Sequence, residues 1–559
     1  MKRTMRLGRY LSCAIFVLAA VTTASAQKVT EARIEELIRE AAARAGVTPT
    51  ATTAPSPAAA QGDQPVVRLT LDGAIKLALD RNLDISVQRL NPQTFDFSLA
   101  SLRATYRPTL TSNISQQSIT QASTSTISGA AVGTGIVNNT TTYNAGLSQS
   151  VWWGGGNLAV QINNDRRTTT SATALVNPDY RANWAATFTQ PLLRNFTIDN
   201  TRQQLVVTRL NQDISEIQLQ ATIINTLSNV RNAYWDYVFA VQSVDVARRS
   251  LELADQLVRD NQTRVEVGTM APIDVIQAQA QAATQRQNLA IAEGTRRTNE
   301  LVLKRLIVSG TQDPNWNTSI DPVDRPDFVP EPVDVGAAVR RALEARTDLA
   351  QVRKNLEVND TTLKYLRNQT LPQVDFSARY GLAGQGGTQF ISSGTGVNRV
   401  VTGTIPGGYA DALSTLFNRD YPTWTFGVNV SYPIGTSSQD ASLARARLQA
   451  SQVEAQLRQI ELQVATDVTN AATQVQNNIE RVQAAQAARE FAQRQREAEQ
   501  SKFEVGMSTN YFVVQSQRDL ATAENNELQA ILAYRRSVVE LERLQQTSTQ
   551  SANITILGR

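Results

Sequence analysis

The chain has 559 residues, with 54 Lys and Arg against 50 Asp and Glu, no histidine and one cysteine. Without histidine, and with cysteine confined to the N-terminus, it has no Ser/His/Asp triad, Cys/His nucleophile, zinc site or haem ligand, so neither an enzyme nor a cofactor is expected. No apolar run of ~20 residues follows the N-terminus, which excludes a helical membrane span.

The first element is a secretory signal over residues 1–26: basic Lys2, Arg3, Arg6 and Arg9, an apolar stretch from Leu11 to Val21, and a small-residue cleavage site at Ala24-Ser25-Ala26. It carries four of the 54 basic residues and no acidic one, so the formal charge of +4 belongs to the signal. The balanced mature chain has no basic footprint for nucleic acid. Cys13 lies inside the apolar stretch behind Tyr10-Leu11-Ser12, a poor lipidation context, so no lipid anchor is expected. An exported chain without cysteine forgoes disulfides and has to be held by packing. Residues 27–65 read as a short amphipathic helix over Val29 to Ala45, followed by a Thr/Ala/Pro linker that cannot bury a core.

From there the chain states one pattern twice. Ala74-Ile75, Ala78-Leu79 and Asp84-Ile85 match Ala338-Val339, Ala342-Leu343 and Asp348-Leu349 at an offset of 264. Gln190-Pro191 pairs with Tyr432-Pro433, and Val265-Glu266-Val267-Gly268 with Phe503-Glu504-Val505-Gly506. The first repeat spans 66–308, with a helix, a β insert of about 108–191 and a long helical hairpin turning at 265–274. A Pro-rich connector, 309–334, leads to the second repeat, 335–546, whose β insert covers about 372–433 and whose hairpin turns at 503–512. Residues 547–559 form a tail.

The inserts alternate with period two, the mark of strands with one apolar face. Trp424, Phe426, Val428, Val430 and Tyr432 alternate with polar residues and glycine, as do Val374, Phe376, Ala378, Tyr380 and Leu382. A soluble sandwich would pack that face on a second sheet. A membrane barrel is favoured by segments of ~9–11 residues, by aromatics near segment ends (Trp152, Trp153, Trp184, Trp424, Tyr432), and by Gly/Ser/Thr-rich loops such as Gly384 to Gly408. Two strands per repeat give four per chain, too few to close, and open edges are not tolerated in lipid. Oligomerisation is therefore expected, with three copies supplying twelve strands. Residues Asn157 to Arg167 leave room for an additional hairpin arm.

The helices are long and weakly apolar. Asn200 to Gln262 has no Pro or Gly and at ~1.5 Å per residue would span roughly 95 Å. Ala441 to Phe503 is equally uninterrupted, with a coiled-coil seam through Leu443, Ala446, Ala450, Val453, Leu457, Ile460 and Val464. The first long helix carries two seams: Leu210, Ile214, Ile217, Ala221 and Ile224, and beside them Ile223, Leu227, Val230, Tyr234, Tyr237 and Val241. Two adjacent seams suit a stave of a hollow helical barrel, whereas an ordinary antiparallel bundle needs one broad face with larger core residues. At each hairpin turn Gly268 or Gly506 supplies a left-handed residue, and Pro272 and Asp274 suit the start of the next helix.

These motifs resemble the TolC-like outer-membrane efflux protein family. Arg264-Val265-Glu266-Val267-Gly268-Thr269 and Lys502-Phe503-Glu504-Val505-Gly506-Met507 are similar to its helix-tip motif, and Gln190-Pro191-Leu192 and Tyr432-Pro433-Ile434 to its strand-to-helix junctions, over roughly Val66 to Gln546. The resemblance implies a mixed α and β fold: a homotrimeric twelve-stranded barrel in outer-membrane lipid, continued by a long periplasmic α-helical barrel of coiled-coil hairpins. It implies a passive duct for efflux or type I secretion. Tips at Val267, Gly268, Thr269, Val505, Gly506 and Met507 would dock on a periplasmic adaptor linked to an inner-membrane transporter. In the family an aromatic hydroxyl and an arginine on the second tip hold an aspartate on the first, and two aspartates ring the entrance. Here Asp274 matches the first-tip aspartate, but the partner positions are Phe503 and Ser508 and the entrance positions are Phe512 and Gln515. A gate without a charged latch or an acidic ring is expected. The competing reading is a trimeric, adhesin-like surface protein whose barrel anchors a helical stalk.

Overall fold

The computed structural model describes Glu36 and residues 38–40, which are helical, and residues 66–122, 134–325, 328–394 and 399–547. The expected signal, the linker, most of the helix before it and nearly all of the tail lie outside these residues. In chain order the elements are β1 (Val66–Leu69), α1 (Leu71–Arg81), α2 (Leu83–Ala104), β2 (Thr109–Ala122), β3 (Gly135–Ser150), β4 (Asn157–Thr169) and β5 (Val176–Pro191). The first hairpin, α3 (Asn200–Glu266) and α4 (Pro272–Ile307), follows, then β6 (Ser319–Pro322), α5 (Val335–Ala345) and α6 (Thr347–Gln369). The second insert holds β7 (Gln373–Ser393), β8 (Val400–Ile405), α7 (Tyr409–Asn418) and β9 (Tyr421–Ser431), and leads into the second hairpin, α8 (Ser438–Glu504) and α9 (Asn510–Leu544). No helix among the described residues is long and apolar enough to cross a membrane.

The chain divides into two compact units. The helical unit takes in the chain up to Thr94, Ser215–Thr347 and Leu462 onward. Its main core gathers Ala74, Ile75 and Ala78 of α1, Ile85 of α2, Leu227, Val230, Tyr234 and Tyr237 of α3, Leu303 and Ile307 of α4, and Ile320 of β6. The second of the two α3 seams is thus the one that builds this core. The two short helices echo each other. Thr70 caps α1 by accepting from the Gly73 N–H, and Asp334 caps α5 by accepting from the Ala337 N–H. The apolar positions matched at the 264 offset, Ala74 and Ala338, Ala78 and Ala342, Ile85 and Leu349, are fully buried in both copies.

Tyr234 and Tyr237 are buried phenols whose hydroxyls need partners. The single Tyr234 hydroxyl proton is shared between the Leu69 carbonyl (3.0 Å) and Asp324 Oδ2 (2.9 Å), and Tyr237 donates to the Ile320 carbonyl. They tie α3 to the two strands β1 and β6, which pair in parallel from Val66 opposite Ser319. Burial, with the Glu300 charge second, pushes the Tyr237 hydroxyl up to about 12.

The sheet unit, Phe95–Ile214 and Asp348–Glu461, holds one antiparallel sheet of seven strands. The order is β2-β3-β4-β5-β7, with β9 and β8 end to end along the far edge of β7: β9 pairs Gln373 to Ala383 and β8 pairs Gln389 to Ser393. Four strands per chain were expected, so that expectation is corrected. Of the three extra strands, β2 and β3 come from Thr-, Asn- and Gln-rich stretches, which lack contiguous apolar alternation and owe their form to ladder hydrogen bonding, and the third is β8. Asn157 to Arg167 is part of β4. The stretch Gly384 to Gly408, expected as a loop, instead holds the upper part of β7 and all of β8, because its small residues make room for α7 and not for a turn.

Candidate functional site: a two-faced sheet and two glycine-turned tips

The pairing registers fix which side chains share a face of the sheet. One face carries Leu110 and Ile114 of β2, Tyr143 and Leu147 of β3, Leu158 and Ile162 of β4, Trp184 and Phe188 of β5, Phe376 and Leu382 of β7, and Phe426 and Val428 of β9. The opposite face carries Asn113, Asn144, Asn163, Asp165, Arg181, Thr187, Arg379, Thr425 and Asn429. Four of its charges pair along their own strands, Arg167 with Asp165 at 2.7 Å and Arg181 with Asp179 at 2.8 Å. On β7 the apolar residues from Val374 to Leu382 run about 26 Å along the strand at ~3.3 Å per residue, the scale of the ~25 Å apolar band of an outer-membrane barrel. Both long edges, along β2 and along β9, lack a strand partner among the described residues.

The aromatics expected at membrane interfaces divide. Trp152 and Trp153 lie in the turn between β3 and β4, Trp424 stands near the start of β9, and Tyr432 directly follows its end. Trp184 lies eight residues into β5, which begins at Val176, and stands opposite Leu382 on β7 and Ile162 on β4.

In the helical unit each hairpin turns at a glycine with φ of 77°. At the first tip the Gly268 N–H donates to the Val265 carbonyl (3.0 Å) and the Thr269 N–H to the Arg264 carbonyl (2.8 Å); at the second, Gly506 donates to Phe503 (3.1 Å) and Met507 to Lys502 (2.8 Å). This is one Schellman closure written twice, and only glycine takes that conformation without cost. Val267, Thr269, Val505 and Met507 are exposed around it.

The expected gate residues are not drawn into one cluster. Phe503 is buried with Leu257, Ala278 and Val513, and the Arg264 guanidinium lies over its ring at 4.3 Å. Ser508 donates to Glu499 (2.8 Å), which Lys502 also contacts (2.7 Å). Those two groups, Lys502 first, hold the Glu499 carboxyl below its ordinary value. Phe512 is exposed and meets Tyr511 edge to face at 5.6 Å, while Gln515 donates to Asp519 (2.8 Å). The Asp274 carboxylate has no ion-pair partner among the described residues.

Besides the Phe503 cluster, the two tips share a pair of amides that the sequence did not advertise. Asn261 Nδ2 donates to Asn510 Oδ1 (2.9 Å), and Asn510 Nδ2 donates to the backbone carbonyl of Asp274 (3.3 Å). Both asparagines are buried. Asparagine facing Gly- and Pro-marked turns reads as ordinary turn chemistry, so the only usable signal was the apolar neighbourhood of Val513 and Leu257.

An antiparallel sheet, apolar on one face and polar on the other and open at both edges, defines the protomer of a barrel-forming membrane channel. The chain belongs to the outer membrane efflux protein family, whose family model matches residues 74–308 and 338–545. Solved structures with this fold include CusC (15% identity, 85% of this chain and 91% of that one, TM-score 0.61), Campylobacter jejuni CmeC (15%, 88% and 90%, 0.59) and Vibrio cholerae VceC (15%, 85% and 95%, 0.59). No protein of curated function matches the sequence itself. The protein is an outer-membrane efflux channel component, a passive transporter and not an enzyme, with long periplasmic helices.

Proposed function

We propose that three copies assemble into one duct, the apolar sheet face against lipid and the polar face around the lumen, with the long hairpins reaching into the periplasm. The two-faced sheet with both edges open carries this reading, since unpaired strand edges in lipid are costly and three copies can satisfy one another. Each chain presents an even number of strand positions, six, so the β2 edge of one copy meets the β9 edge of the next in antiparallel sense. The wall is then wider than four strands per chain would give. The tips dock on a periplasmic adaptor that leads to an inner-membrane transporter, through Val267, Gly268, Thr269, Val505, Gly506 and Met507. Phe512 and Gln515 line the entrance, and closure rests on apolar and amide contacts in place of a charged latch.

The test is electrophysiology of the purified protein in planar bilayers alongside mass photometry in detergent. A conducting trimer is expected. A folded, inserted monomer, or a trimer that does not conduct, would overturn the reading.

A further inference from the structure

Helix α7 is packed on the apolar face of the sheet. Gly384 and Gly386 share that face with Tyr380 and Leu382, and they let backbone meet backbone: a Cβ at Gly384 would stand 2.0 Å from the Ala412 carbonyl oxygen, and one at Gly386 2.4 Å from that of Gly408. Ala412 and Leu416 are buried against Ala182, whereas Phe417 stays 77% exposed. Beside the helix is a cavity of about 530 Å³, walled by Ile162, Trp184, Leu382, Leu413 and Phe417, with Asn164 and Arg419 as polar lining.

The position of α7 along the strands gives the cavity its meaning. Below it the face is apolar and uncharged; at its level the same face of β4 changes from Ile162 to Asn164 and then Arg166. Arg419 ends α7 in the left-handed region (φ 60°), is exposed, and has no carboxylate within ion-pair distance among the described residues. Asp411, the nearest acid on the helix, is committed to the Gly408 N–H at 2.6 Å. An apolar cavity at the boundary of an apolar band, with the Arg419 cation in its lining, has the chemistry of an amphiphile site.

We propose that this cavity holds an acyl chain of a phosphorylated membrane lipid whose phosphate meets Arg419. The inference rests on the reading that this sheet face meets lipid. The recognised chemistry is hydrocarbon joined to a phosphate monoanion.

The full chain, stripped of bulk lipid in detergent, is mixed with dipalmitoylphosphatidylglycerol and the retained lipid is counted by native mass spectrometry; dipalmitoylglycerol and inorganic phosphate are the comparison probes. About one phosphatidylglycerol per chain is expected, with dipalmitoylglycerol held about tenfold more weakly. Arg419→Gln should weaken phosphatidylglycerol by about tenfold, Leu413→Trp should exclude it, and Val428→Ala, on the same face away from α7, should retain it. Equal retention by wild type, Arg419→Gln and Leu413→Trp would mean only annular lipid and would overturn the proposal, as would displacement of the lipid by phosphate alone. Unchanged conductance of Arg419→Gln keeps the duct reading separate from the lipid site.

Discussion

Asn261 of the first hairpin and Asn510 of the second meet side chain to side chain at 2.9 Å, both buried, with the Asn510 amide also reaching the Asp274 carbonyl at 3.3 Å. The link uses the backbone of Asp274, so removing that residue's carboxylate leaves it intact. Asn510→Ala strands a buried amide at a cost of ~1–3 kcal/mol and removes the polar part of the contact between the tips, leaving the Phe503 cluster in place. In single-channel recordings Asn510→Ala should lengthen open periods, while Asp274→Ala should change gating little. The reverse ranking would show that a charged latch operates after all.

The two hairpins and the alternation of faces in β7 and β9 were legible because each rests on a spacing: 264 residues between the short helices and 238 between the tips, two along a strand, three and four along a helix. Tyr234 and Tyr237 were placed on a seam by that arithmetic and are core. What stayed hidden is what depends on partners far away in sequence. Residues of β2 such as Thr111 and Ser115 show no apolar rhythm, and β3 opposite them fixes their conformation. Gly384 and Gly386 read as loop glycines, although their smallness serves the approach of α7. Phe503 matched a gate position by alignment of tips, yet the cluster with Leu257 and Val513 takes it inward.

The tip glycines allow a clean separation of turn from surroundings. A Cβ added at Gly268 or Gly506 meets nothing within 4 Å, so substitution costs only the positive φ. Gly268→Val or Gly506→Val should therefore cost about 1–2 kcal/mol locally, leave trimer and conductance intact, and impair adaptor capture and drug efflux. Pull-down with the adaptor and a resistance assay measure this; wild-type capture by both variants would remove the tips from the docking surface.

Asp313 provides a pH signature in the helical unit. Burial alone would raise its carboxyl, but the Asn315 and Ser309 N–H groups, the Ser309 hydroxyl and the Arg81 guanidinium at 3.1 Å outweigh burial and hold it below the usual carboxylate range. A folded-state value below the unfolded one gives stability that is present above the unfolded pKa, ~3.9, and is lost as pH falls through the folded value. Asp313→Asn should cost ~1–3 kcal/mol at pH 7, and its melting temperature should converge on wild type as pH falls below ~4. Thermal unfolding followed by circular dichroism from pH 7 to 3 reads both; parallel pH profiles would show that the ion pair carries no linkage.

The strongest test of the two-faced sheet uses neighbours in one strand. Phe426 and Thr425 are adjacent on β9 and point to opposite faces: Phe426 stands opposite Ala378 and stacks near Phe376 at 6.4 Å, whereas Thr425 stands opposite Arg379. If the apolar face meets hydrocarbon, an arginine at 426 has to be desolvated, at ~2–4 kcal/mol near the midplane for each copy of the chain. The same residue at 425 enters a polar lumen, pays no such cost and adds positive charge beside Arg379. Phe426→Arg should therefore reduce outer-membrane insertion severely, as measured by heat-modifiable trimer in membrane fractions. Thr425→Arg should insert like wild type and shift reversal potentials in a salt gradient toward anion preference. The contrast does not depend on how many copies assemble. Normal insertion of Phe426→Arg together with failure of Thr425→Arg would invert the assignment of the faces, and equal behaviour of the two would mean that neither face meets lipid.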